Sequence, residues 1–188
     1  MSVTSVHKDP ELLTMTVTAE YDVAAERAWQ LLADPRQLEQ WWGPPGYPAT
    51  VDQHDLSPGG TVAYHMTGPG GEQFRGWWDV LAAEPPRHLV VKDGFADADG
   101  NPDAGLPTTH MRLRIDDREG GGVRLTMLST FPSLEALDQL LAMGMEEGLL
   151  AAMGQIDAIL AGCGGRACLE RWIGRRGRSA RRTPSPGR

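Results

Sequence analysis

Residues 132–162 read PSLEALDQLLAMGMEEGLLAAMGQIDAILAG, and the fold class turns on this stretch. No proline interrupts it between Leu134 and Leu160. Ser133 offers a side-chain oxygen to the free amides of a first helical turn, and Glu135 places an acid where the helix dipole favours one. Leu137, Leu141, Gly144, Gly148, Ala152, Ile156 and Ile159 fall on one stripe at helical spacing. Gly162 and Gly164-Gly165 end the pattern. The spacing predicts one helix over 134–160, about 40 Å long at ~1.5 Å per residue and able to cross a whole sheet. A glycine inside a helix costs about 1 kcal/mol relative to alanine. Gly144 and Gly148 on the inward stripe therefore need a reason: close approach of the sheet, or room for a ligand. Both readings stay open.

Upstream, the period changes from helical to two. Leu13, Met15, Val17, Ala19 and Tyr21 alternate with Thr14, Thr16, Thr18 and Glu20, a strand signature. Ala25, Ala28, Trp29 and Leu32 have helical spacing up to the break at Asp34-Pro35, and Pro35 suits the first turn of a second short helix running to about Trp41. Strand candidates follow at 47–56, 61–67, 72–83, 88–94, 108–118 and 123–131, separated by Gly- and Pro-rich turns and by a long polar loop over 96–107. The order strand, two helices, six strands, helix predicts an α+β fold. A curved antiparallel sheet of about six to seven strands wraps a long C-terminal helix, with one face covered and one wet.

The chain has 188 residues, 40% of them hydrophobic, and a mean hydropathy of −0.35. A domain of ~150 residues buries roughly 70% of the surface its unfolded chain exposes, so a core forms without disulfides or a structural metal. Residues 1–10 are polar, without periodicity, and are expected to fray; 11–163 form the domain. No run approaches the ~20 apolar residues of a membrane span, and Met1 to Pro10 lack a signal-peptide core. The expectation is a cytoplasmic protein without membrane insertion. The net charge is −7; residues 164–188 hold eight arginines and one acid, or +7, which leaves −14 on residues 1–163. So acidic a body argues against a nucleic-acid face on the domain. The tail 164–188, with Trp172 and Ile173 its one bulky apolar pair, is expected to stay disordered. Cys163 and Cys168 form no metal-binding pattern.

Chemistry-bearing motifs are sparse. No H-E-x-x-H, G-x-S-x-G or phosphate-binding glycine loop occurs, so neither a metal nor a cofactor is expected. Trp42, Tyr64, Met66, Phe74, Trp78 and Phe95 are the bulky residues expected on the concave side, against the plainer alternative of core packing. Met143, Met145 and Met153 add flexible, polarizable surface. With Gly144, Glu147, Gly148 and Ala152 from the helix, Met143 and these bulky residues make the expected ligand-binding set. Glu147, nearer the stripe than Glu146, and His110, if inward, are the candidate proton-transfer groups, against a solvated helix edge and a surface histidine. His65 should face away from Tyr64 and Met66. Nothing in the chain requires catalysis, and a homodimer is compatible with it.

Asp34-Pro35 with Trp41-Trp42-Gly43-Pro44 resembles the segment after the first strand in START-like proteins of the type that activates the heat-shock-protein-90 ATPase. Pro58-Gly59-Gly60, Gly68-Pro69-Gly70-Gly71, Phe74-Arg75-Gly76-Trp77-Trp78, Pro85-Pro86-Arg87-His88-Leu89, Asp93-Gly94-Phe95 and Met143-Gly144-Met145-Glu146-Glu147-Gly148 resemble the same family, in order. The resemblance implies a helix-grip fold with a cavity under the last helix. By way of related branches it implies a small hydrophobic ligand, lipid- or polyketide-like. Its alternatives are a chaperone-interacting protein and a pocket-based cyclase or hydrolase. A tryptophan that often follows the glutamate–glycine pair is Leu149 here, which would enlarge the cavity.

Overall fold

A computed structural model of the chain describes residues 3–162. Eight strands form one open, curved antiparallel sheet: β1 (Val3–Asp9), β2 (Thr14–Tyr21), β3 (Ala49–His54), β4 (Thr61–Thr67), β5 (Gln73–Glu84), β6 (His88–Ala96), β7 (Thr109–Asp117) and β8 (Val123–Thr130). Their order across the sheet is β1-β2-β8-β7-β6-β5-β4-β3. Helices α1 (Ala25–Ala33) and α2 (Pro35–Leu38) follow β2, while α3 (Leu134–Ala142), α4 (Met145–Met153) and α5 (Ile156–Leu160) follow β8.

Side-chain alternation fixes which face is covered. On β2, Met15, Val17, Ala19 and Tyr21 are buried; on β7, Thr109, Met111, Leu113 and Ile115; on β8, Val123, Leu125, Met127 and Ser129. Most of these rows meet α1, α4 and α5 in a main core that includes Trp29, Leu31, Leu32, Trp78, Met153 and Ile156, while Met15 packs with Phe131 and with Leu137 and Leu140 of α3 in a second cluster. Each fully buried large apolar side chain contributes about 1.5–3 kcal/mol. The Asp34 side chain accepts the Arg36 amide at the start of α2, with Pro35 at its first position, as the sequence indicates.

Two expectations are corrected here. Residues 3–9 do not fray: they add the eighth strand, paired with β2 from Val3↔Ala19 to Asp9↔Thr14. Only Val3 and Val6 of this strand reach the core, so the segment lacks its own apolar periodicity and owes its order to an edge already in place.

The run 134–160 is also not one helix. It begins as expected, with the Ser133 Oγ accepting the Ala136 amide. It then breaks at Gly144, whose φ of 86° is left-handed, and again at Gly154-Gln155. The Gln155 side chain donates to the carbonyls of Trp41 and Gly43 at the second break, and Arg27 donates to the Ile159 carbonyl in α5. Three short helices thus bend along the concave face instead of crossing it straight. The arginine-rich tail, with Cys163 and Cys168, lies outside the described residues, and so do the expectations for it.

The two glycines of the stripe have opposite roles, and substitution separates them. A left-handed φ strains any Cβ, so Gly144→Ala is expected to destabilise by about 1 kcal/mol. Gly148 is helical with open space around the place of a Cβ; Gly148→Ala is expected to stabilise by roughly 0.5–1 kcal/mol. Urea unfolding of the two variants measures both signs.

Candidate functional site: an apolar cavity under the bent helices

Under the Gly144 bend lies a cavity of about 350 Å³ between the sheet and α3–α4. Its sheet wall is built by inward positions of neighbouring strands: Tyr64 and Met66 on β4, Phe74 on β5, Asp93 and Phe95 on β6, Thr109 and Met111 on β7, Met127 and Ser129 on β8. Leu140, Met143, Gly144, Met145, Gly148 and Leu149 close it from the helices; Trp42, Pro44 and Pro107 close it from loops. Five of these side chains are methionines. Phe74 and Met143, each about half exposed, mark its rim.

Trp42 organises one end. Its ring stands edge-on to Trp78, centroids 4.7 Å apart, and edge-on to Tyr64 at 6.0 Å. Tyr64 can lie flat across β5 because its cross-strand partner is Gly76, where a Cβ would fall 2.4 Å from the phenolic oxygen. Burial raises the Tyr64 phenol above its ordinary pKa, with the Asp93 carboxylate second; the Trp42 and Trp78 indoles act weakly the other way. Neither indole N–H meets an aligned hydrogen-bond acceptor.

Asp93 is the polar centre of the cavity. It takes the inward slot in register with Leu89, Val91 and Phe95 on β6, and its Oδ1 accepts the hydroxyl of its cross-strand neighbour Thr109. Burial pushes its carboxyl up to about 6, and the Thr109 hydrogen bond offsets part of that.

Of the residues expected at a site, Trp42, Tyr64, Met66, Phe74, Phe95, Met143, Gly144 and Gly148 line the cavity. Trp78 and Ala152 do not: Trp78 is fully buried beneath Trp42, and Ala152 packs into the core of α4. Glu147 is exposed, because it stands one residue off the inward stripe of Gly148 and Ala152 on α4; Glu146 pairs with Lys8 of β1. His110 faces out, one residue from the inward Thr109, which removes both candidate proton-transfer groups from the cavity. His65 turns away as expected and pairs with Asp52, 2.9 Å away. Sequence reading missed Asp93, Thr109, Met111, Met127 and Ser129, although strand alternation places all of them inward. On the opposite face of β6–β7, Arg112 and the pairs Arg87–Asp117 and Arg114–Asp116 line a second, wide groove open to solvent.

Residues 22–161 match the family described as "Activator of Hsp90 ATPase homolog 1-like protein". The chain belongs to this family. A crystal structure of a Mycobacterium smegmatis protein is similar at 49% identity and a TM-score of 0.78, covering 84% of this chain and 96% of that one. A solution structure of an Arthrobacter aurescens protein shares 46% identity at a TM-score of 0.82, covering 85% and 92%. A crystal structure of a protein from Silicibacter pomeroyi carrying the family's name matches at 25% identity and a TM-score of 0.64, covering 79% and 97%. No curated protein matches the chain. The START-like, helix-grip assignment made on the motifs therefore stands for this member of the activator family. Leu149 lines the cavity. Among the described residues no helix is long and apolar enough to cross a membrane.

The raised Asp93 carboxyl sets a pH-dependent cost. The fold favours its protonated form, so the penalty is absent below about pH 4, grows towards pH 6 and is complete above it. Asp93→Asn keeps an acceptor for Thr109 and removes the charge. It is expected to be more stable than the parent at pH 8, by on the order of 2 kcal/mol, with the advantage gone at pH 4. Chemical unfolding at the two pH values gives the comparison; an advantage independent of pH would refute this account.

Proposed function

We propose that this protein binds a small hydrophobic ligand, lipid- or polyketide-like, in the cavity beneath α3 and α4. One observation carries the reading: a cavity of about 350 Å³ with an apolar wall of methionine and aromatic side chains, complete within one chain. Small-molecule sites run from ~300 to ~1,000 Å³ and pair an apolar wall with a few polar groups, which Asp93, Thr109 and Ser129 supply here. Family membership supports the same reading, since helix-grip proteins carry ligands under the closing helix. A catalytic reading has less support, because Glu147 and His110 point away from the cavity. The ligand-binding role is proposed for the cytoplasm.

Nile red, a neutral hydrophobic dye, and a polyketide-like library provide the test. The dye is expected to gain fluorescence with the native protein, and library members that displace it to raise the melting temperature. Gly148→Phe places a ring in the open space beside the helix and is expected to weaken dye binding about tenfold or more while keeping a cooperative unfolding transition. Absence of any binding by the native protein, or a Gly148→Phe variant that binds the dye equally well, would sink the proposal.

A further inference from the structure

Asp93 is the one charged side chain lining the cavity among the described residues. Its Oδ1 is taken by Thr109. Its Oδ2 has no protein donor among the described residues and is not sealed off from the cavity. Among the described residues no cation lines the cavity with it: β4 contributes Tyr64, β5 Phe74, β7 Thr109, β8 Ser129, and the helices Leu140 and Leu149. Among the described residues Tyr64 is the only other titratable group lining the cavity, and its raised pKa keeps it protonated. Lys92 and His110, the chain neighbours of Asp93 and Thr109, serve the opposite face, where Lys92 lies over the Trp77 ring.

A carboxylate held in an apolar cavity without a counter-charge is costly, and partial hydrogen bonding repays only part of that cost. The group that would repay the rest has a positive charge and several donors. We propose that the cavity selects apolar molecules bearing a protonated amine, with the nitrogen seated at Asp93 Oδ2, and that Asp93 is the residue that sets this selectivity. A hydroxyl in that place would bring one hydrogen bond and no charge. The Trp42 and Tyr64 rings, edge to face beside the carboxylate, add π-systems that attract cations. The charge of −14 on residues 1–163 draws cations towards the domain from a distance. This inference rests on the ligand-binding reading above and names the chemical class for that site.

Calorimetric titration with 1-naphthylmethylamine and 1-naphthalenemethanol tests it, since the two probes share ring and chain and differ in one polar group. At pH 8 the native protein is expected to bind the amine about tenfold or more tightly than the alcohol. Asp93→Asn should abolish that preference, bringing the two affinities within about twofold of one another. Should the variant fold poorly, the native protein carries the test alone: its preference should shrink between pH 8 and pH 5, as the carboxyl protonates while the amine stays charged. Equal or weaker binding of the amine at pH 8, or a preference that survives in Asp93→Asn or is undiminished at pH 5, overturns the proposal and leaves the hydrophobic-ligand reading standing. Failure of both probes to bind overturns the two together.

Discussion

The left-handed backbone at Gly144 is the constraint on which the concave side depends. A helix continuing straight from Leu134 would run as a rod over a curved sheet and carry its side chains in unbroken phase. The bend stops α3 after Ala142 and restarts α4 at Met145, while Leu137, Gly144, Gly148, Ala152 and Ile156 all stay on the inner side. Leu140 and Met143 therefore meet the cavity from one helix, and Met145, Gly148 and Leu149 from the other, at an angle. Off that stripe, Glu146 pairs with Lys8 and Glu147 lies in solvent. An energetically awkward residue for a helix interior is thus the hinge of the roof, and only glycine takes that backbone conformation without strain.

The roof is fixed at its far end by polar groups. Gln155 occupies the second helix break and satisfies carbonyls of the loop that carries Trp42, so the end of α4 and the aromatic corner are tied to one another. Arg27 binds both Gln37 and the Ile159 carbonyl, linking α1, α2 and α5. These are contacts between segments far apart in sequence. They position the cavity wall without entering it, and they explain how a cavity survives beside a closely packed core.

Much of this was legible in the sequence because strands with one covered face announce themselves. The alternation of Met15, Val17, Ala19 and Tyr21, and the glycine-rich turns between later strands, locate seven strands to within a few residues. The eighth was not legible: Val3 and Val6 are too few to signal burial, and pairing with β2 supplies what the segment lacks. Helical spacing across 134–160 was real, but periodicity cannot distinguish a glycine that tolerates a helix from one that ends it. Asp93 was passed over for a related reason. A charged residue in an apolar row reads as an interruption, whereas its phase with Val91 and Phe95 places it at the centre of the wall.

The five methionines of that wall give it properties that its outline alone does not convey. Thioether side chains have three rotatable bonds and no branching, so they change shape at little energetic cost. The cavity therefore has no single mould, and different guests can each be met by a different arrangement of the same wall. Sulfur also makes the lining reactive. Met143, half exposed at the rim, meets an oxidant first, and conversion to the sulfoxide sets a polar, chiral group at the entrance. The opening through which the proposed ligand would pass is thus also the point at which oxidative chemistry would change the polarity of the entrance.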